Sequence, residues 1–241
     1  MLTQNSSPEQ VNLELNADEK RACYWFVKQH GGEKGYNRFR TRFAMRLISS
    51  GKNEMVSDAV EYTSPHGNKW LTYEHAVKGG YIDAFTHMYC VCYFETASSY
   101  GAFVRTNGEH TVAGYSDGCI LFTPHFFSRF AERMGIEKKS RAMLLRFLQL
   151  QHHPIFLRKP ARDGFTDEEV VIRYPGSYAF GSRRTVNGYE FITIRTFIPA
   201  TQLSPQRKKQ LIEFGEFVDE YGKEHEKITL EKNSSKQIIE L

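Results

Sequence analysis

The 241-residue sequence predicts an α+β protein with N-terminal helices, an antiparallel sheet, and a C-terminal helix-helix-antiparallel-sheet unit. Three observations carry this reading. Apolar residues recur at helical spacing near the N-terminus and again after Pro124; alternating runs occupy much of 56–122 and 169–197; and Asn187-Gly188 separates two of those runs as a two-residue hairpin turn. With 40% hydrophobic residues, 18 Phe and 13 Tyr, the chain can bury a core and is not disordered in bulk. The expected organisation is a loose arm over 1–15, a single domain over 16–221 with a sub-boundary near 118, and a charged tail over 222–241.

The elements follow in order. Asn16 or Asp18 caps a helix over 17–29 whose inward residues include Ala22 and Phe26, and His30-Gly31-Gly32 stops it. In the next helix, 35–49, Arg38, Arg42 and Arg46 recur every fourth residue after Lys34, beside a matching row of Phe39, Phe43 and Leu47. No acid lies between Glu33 and Glu54, so the cationic row lacks the glutamates that usually pair with arginines on a helix surface. Val56–Tyr62 and Trp70–His75 flank the turn residues 64–68 as a hairpin. Strands are expected from Met88 to Phe94, then over 100–106, 111–115 and 119–122.

Thr123-Pro124 opens a short helix and Gly135 closes it, with Phe126, Phe127, Phe130 and Met134 on one side and His125, Arg129, Glu132 and Arg133 on the other. A longer helix over 138–152 ends before Pro154. Strands over 170–174, 178–186 and 189–197 follow, the last with Phe191, Thr193, Arg195 and Phe197 alternating against Ile192, Ile194 and Thr196. A final helix is expected over 205–221.

The formal net charge of +4 is unevenly spread. Residues 123–210 hold 16 Lys and Arg against 7 acids, whereas 211–241 hold 4 against 8. A basic block interleaved with aromatics is the footprint of a surface that meets phosphates. Arg38, Arg42, Arg46, Lys138, Lys139, Arg183 and Arg184 are therefore candidate nucleic-acid contacts. The alternative is that these cations balance acidic neighbours within the fold.

His125 occupies the first turn of its helix, where the helix dipole disfavours added positive charge by about 0.3–1 kcal/mol. A neutral imidazole with Arg129 and Arg133 one and two turns on has the parts of a phosphodiester site, a base and a clamp. RNA carries its own nucleophile, the 2′-hydroxyl, so such a site needs neither metal nor cofactor. The bland alternative is that His125 packs at the helix start while the arginines pair with Glu132 or solvent.

The helix running from His125 through Phe126 and Arg129 to Glu132 and Arg133, then a second helix and a sheet ending Thr193-Ile194-Arg195-Thr196, resembles the small metal-independent ribonuclease toxins grouped with barnase and RelE. The resemblance covers Thr123 to Phe197. It implies helices on a curved antiparallel sheet and RNA cleavage leaving a 2′,3′-cyclic phosphate. It further implies His125 as acid/base, Arg129 or Arg133 as phosphate clamp, and Thr193, Arg195 or Thr196 as supporting strand residues. Members that lose catalytic residues persist as binders.

Three functions stay open: an endoribonuclease of bacterial or mobile-element origin, with an inhibitory protein partner possible; a non-catalytic nucleic-acid-binding accessory protein using the basic 123–210 surface; and a structural protein whose arginines meet acidic partners. The expected setting is the cytoplasm, since no stretch approaches the roughly 18 apolar residues of a membrane span. No phosphate-binding loop, GxSxG or HExxH motif is present. Cys23, Cys90, Cys92 and Cys119 fit free thiols better than a disulfide scaffold, and Cys90, Cys92 and Cys119 with His87 or His125 match no familiar zinc spacing. His152-His153 reads as a helix end, where imidazole suits the dipole.

Overall fold

Ser7 accepts a hydrogen bond from the Gln10 amide and Pro8 stands in the first turn, so the first helix, α1, runs over Pro8–Gln29. The expected loose arm is thus helical from Pro8. Its polar residues form the outer side, while Val11 and Leu15 are buried and Leu2 is anchored by its amide to Asn68 Oδ1 at 2.6 Å. The second helix, α2, covers Gly32–Ser49. A Cβ at Gly35 would collide with the His30 carbonyl oxygen, so glycine there lets α2 fold back closely against the end of α1.

The computed structural model describes residues 1–79, 83–106, 118–152, 154–157 and 169–214. These residues form an α+β fold around a ten-stranded sheet. Its strands are β1 (Glu54–Val56), β2 (Val60–Thr63), β3 (Lys69–Lys78), β4 (Ala84–Glu95), β5 (Tyr100–Thr106), β6 (Gly118–Phe122), β7 (Ile155–Leu157), β8 (Glu169–Tyr174), β9 (Ser177–Val186) and β10 (Tyr189–Pro199). The order is β1-β3-β4-β5-β6-β10-β9-β8-β7, with β2 also paired to β3. Every pairing is antiparallel except β6 with β10. That parallel pair joins the N-terminal meander to the C-terminal strands, so the second unit extends the first sheet.

Several boundaries differ from the sequence reading. The run 56–62 divides into β1 and β2, both against β3, and β4 begins at Ala84 rather than Met88. The strand expected over 111–115 and the tail over 222–241 lie outside the described residues. Two helices, α3 (Pro124–Met134) and α4 (Arg141–Leu150), cross between β6 and β7. Ser140 caps α4 by accepting from the Met143 amide, so Lys138 and Lys139 fall in the preceding loop. The last described helix, α5 (Pro205–Glu213), starts at the Ser204 cap; the remainder of the helix expected to 221 lies beyond the described residues after Phe214.

Helices cover both sheet faces. On one, Phe126, Phe127 and Phe130 of α3 and Phe147 of α4 pack on Tyr73, Phe122, Ile192, Ile194 and Phe197. All these aromatics are essentially inaccessible, and each buried phenylalanine contributes roughly 1.5–3 kcal/mol. On the other face α1 covers Trp70, Cys92, Phe103, Leu121 and Phe191, and α5 covers Val171, Phe180 and Ile198.

The turn at Asn187-Gly188 has positive φ at both residues, 52° and 77°, and joins Val186 directly to Tyr189 in the ladder. Further along, Ile194 pairs with Gly181 and Thr196 with Phe180, leaving Arg195 as a bulge residue. The extra residue resets the alternation. Phe197 therefore joins Ile192 and Ile194 beneath α3, whereas Thr193 and Thr196 belong to the opposite face. Strict period-two alternation would instead group Phe197 with Thr193, and Thr196 with the isoleucines.

Candidate functional site

The α3 constellation separates into parts with different fates. Thr123 caps the helix by accepting from the Phe126 amide, and its own amide donates to the Ile194 carbonyl at 3.0 Å, fixing the helix start over β10. His125 is exposed on the first turn. Arg129 Nη1 lies 3.0 Å from Glu132 Oε2 in a pair open to solvent, an interaction worth little. Arg133 instead donates to the Phe197 carbonyl, and burial, with Arg129 nearby, lowers the pKa of its guanidinium. It ties α3 to β10. Thr193 and Thr196 are on the sheet face away from α3, and Arg195 is exposed at the bulge. The structure keeps His125 and Arg129 near each other on one helix and does not bring the strand residues to them on the α3 face.

Among the described residues, the named cations of the 123–210 block are spread over different surfaces. Lys139 approaches Glu95 at 3.8 Å, and Arg141 donates to the Ala59 carbonyl. Arg183 lies 3.7 Å from the buried Glu190, while Arg184, adjacent on β9 and so on the other sheet face, sits 5.1 Å over the Phe191 ring. Lys138 is exposed in the α3–α4 loop. Arg158, Lys159 and Arg162 lie outside the described residues.

A coherent cationic feature does form on α2, and its geometry follows from a buried anchor. Glu74 of β3, wholly inaccessible, accepts from the Tyr36 hydroxyl at 2.6 Å and lies 3.1 Å from Arg40 Nε. Burial, reinforced by the Glu74 bond, pushes the Tyr36 phenol well above its usual pKa and keeps it a donor. Arg40 also donates to Thr86, through Nε to Oγ1 at 2.8 Å and through Nη2 to the carbonyl at 2.9 Å. With Tyr36 and Arg40 fixed against the sheet, Arg38, Arg42 and Arg46 project to solvent. Among the described residues no carboxylate comes within ion-pair distance of these three.

The three arginines border an open groove of about 420 Å³ lined also by His30, Phe39 and Phe43. Its aromatic floor is continuous. His30, held by a 2.8 Å hydrogen bond between Nδ1 and the Phe26 carbonyl, lies 4.1 Å from Phe39 between centroids, and Phe39 stacks on Phe43 at 5.7 Å and 13°. A cationic rim thus runs parallel to an aromatic row. The sequence showed both rows; His30 as a member of the site was hidden, because its placement depends on the tight α1–α2 turn at His30-Gly31 and the close approach of Gly35 to the His30 carbonyl.

Other chemistry-bearing residues gather elsewhere. Asp18 accepts from Ser64 Oγ at 2.5 Å and Asn68 Nδ2 at 3.0 Å and meets His66 Nδ1 at 2.9 Å. Both the hydroxyl and the imidazole address the carboxylate, so this trio clamps the 64–68 turn to α1 and does not place a base on a nucleophile. The four cysteines are free. Cys92 and Cys119 are buried under α1, and Cys90 Sγ lies 3.2 Å from Cys23 Sγ. Those thiols occupy the α1 face, opposite His87 and His125. A separate group, Glu54, His75 and His152, brings three metal-capable donors within 4.8 Å of one another. No spacing in the sequence points to it, since its members come from β1, β3 and the turn after α4.

Comparison with protein-family models, curated proteins and solved structures found no match. Among the described residues no helix is long and apolar enough to cross a membrane.

Proposed function

We propose that the protein binds single-stranded nucleic acid, RNA in the first instance, through the α2 groove. The observation that carries this is the pairing of exposed Arg38, Arg42 and Arg46 with the His30–Phe39–Phe43 row beside them. Residues four apart rise about 6 Å along a helix, so the guanidiniums form a ladder on which a backbone can lie. Cationic tracks flanked by aromatic faces are how proteins hold unpaired strands without reading sequence, each base stack adding about 1–3 kcal/mol. Among the described residues these arginines pair with no acid, so binding gives up no ion pair there.

The test is fluorescence anisotropy of a labelled mixed-sequence RNA with the full chain. Binding should weaken at least tenfold in a variant carrying Arg38→Gln, Arg42→Gln and Arg46→Gln, and be nearly unaffected by Arg183→Gln with Arg184→Gln. Equal affinity of the α2 variant and the parent protein would refute the reading.

A second reading, metal-independent RNA cleavage, is favoured by one feature: His125 is exposed in the first turn of α3 with Arg129 one turn further on. In it His125 takes the 2′-hydroxyl proton as that oxygen bonds to phosphorus and the P–O5′ bond breaks, the departing 5′-oxygen takes a proton from water, and Arg129 balances charge on the phosphate that becomes the 2′,3′-cyclic ester. Thr193 and Thr196 have no part, and Arg133 acts only by holding α3 to β10. Products formed from RNA in the presence of a chelator, and lost in His125→Ala, would support this reading; binding without products would leave the protein a binder.

A further inference from the structure

We infer that Cys23 and Cys90 form an oxidation site, at which hydrogen peroxide converts the two thiols reversibly into a disulfide that latches α1 to the sheet, independently of the α2 groove. Cys23 stands on α1 and Cys90 on β4, 67 residues further along, and their Sγ atoms lie 3.2 Å apart as free thiols. The sulfurs are already in contact, and a shift of roughly 1 Å, shared between two side chains, brings them to the bond length of about 2.05 Å. Both residues are only half-buried, which leaves a small oxidant a path to them. Cys92 and Cys119, at 1% and 0% accessibility, lie sealed beneath α1.

The surroundings give the two sulfurs different parts. The contact with Cys90 lowers the pKa of Cys23, against burial and the charge of Glu19, while the same contact and burial raise that of Cys90, so Cys23 is the thiolate and Cys90 the donor. Glu19 is itself paired with Arg105 Nη1 at 2.7 Å. Thr72 Oγ1, opposite on β3, lies 3.1 Å from Cys90 Sγ and holds the second sulfur in place. In the first step the Cys23 thiolate attacks one peroxide oxygen, the O–O bond breaks, and the departing hydroxide takes a proton and leaves as water; Cys23 is then a sulfenic acid. In the second, the Cys90 sulfur attacks the Cys23 sulfur, the S–O bond breaks, and hydroxide leaves with the Cys90 proton as a second water. The two thiols together lose two electrons and the peroxide gains them. A dithiol reverses the step by thiol–disulfide exchange. The covalent loop closed in this way contains α2 and β1 to β3, and cross-links across long loops constrain a chain most.

The test treats the purified full chain, reduced with dithiothreitol and desalted, with a small excess of hydrogen peroxide, and reads free thiols, intact mass and a peptide map. The expected result is loss of two of the four thiols, a mass lower by about 2 Da, and one cross-linked peptide pair joining Cys23 to Cys90, all reversed by dithiothreitol. Cys92 and Cys119 should remain thiols under the same conditions. Amide hydrogen exchange over α1 should slow at least tenfold in the oxidised chain. Cys90→Ser should form no cross-link and accumulate a sulfenic acid at Cys23, trapped by dimedone, whereas Cys23→Ser should keep its three remaining thiols. Unchanged far-ultraviolet dichroism establishes that the variants are folded, and the map of the parent chain does not depend on either. Four intact thiols after peroxide, a cross-link through another cysteine, a gain of oxygen without a cross-link, or α1 exchange unaltered by the bond would overturn the inference.

Discussion

Arg40 Nε lies 3.1 Å from the Oε1 atom of Glu74, whose side chain is wholly inaccessible. The contact sets the rotation of α2, because one arginine of the helix is turned into the sheet while its neighbours at 38, 42 and 46 face outward. Glu74 is buried while Arg40 is partly exposed, so removing Arg40 leaves a buried carboxylate without its cation. Arg40→Ala should therefore destabilise the protein by about 2–4 kcal/mol in urea unfolding, and Tyr36→Phe by about 1–3 kcal/mol through loss of a hydrogen bond to a charged group. Arg42→Gln, an exposed change, should stay within about 0.5 kcal/mol.

Asp18 supplies a pH dependence of known sign. Burial alone would raise its pKa, but hydrogen bonds from Ser64 and Asn68 and the His66 contact hold it below the ordinary aspartate value. A carboxyl with a depressed folded pKa stabilises the protein above its unfolded pKa, and the contribution disappears as pH falls through the folded value. Stability should decline below about pH 4 with a component absent from Asp18→Asn. That variant should lose about 1–3 kcal/mol at neutral pH, measured by thermal or urea melts across pH.

The hairpin at Asn187-Gly188 places both residues at positive φ. Gly188→Ala should cost about 1 kcal/mol by forcing a Cβ into that conformation, and Asn187→Val should cost more, because a β-branched side chain tolerates it least. Neither change should alter RNA affinity, since the turn joins β9 to β10 and α2 packs elsewhere.

Much of the fold was legible because local chemistry and tertiary packing agree. Thr123-Pro124 with Gly135 marked α3 to the residue, and Asn187-Gly188 marked the last hairpin. The start of α1 was equally written, as Ser7-Pro8-Glu9-Gln10, a capping pattern masked by the polar composition around it. What sequence could not show was where spatial relations override periodicity. The bulge at Arg195 swaps the faces of Phe197 and Thr196, and so separates Thr193 and Thr196 from His125. The α2 arginine row was visible from spacing alone. By contrast, the described cations of 123–210 are dispersed: Arg183 and Arg184 leave by opposite sheet faces, and Arg133 and Arg141 are tied to backbone carbonyls.

The salt dependence of RNA binding is the decisive measurement for the α2 groove. For single strands the slope of log K against log salt is about 0.7 per phosphate contact. Replacing Arg38, Arg42 and Arg46 together with glutamine should lower the slope's magnitude by about 2 while the melting temperature stays unchanged. An unaltered slope in a folded triple variant would show that the strand, if bound, lies elsewhere on the protein.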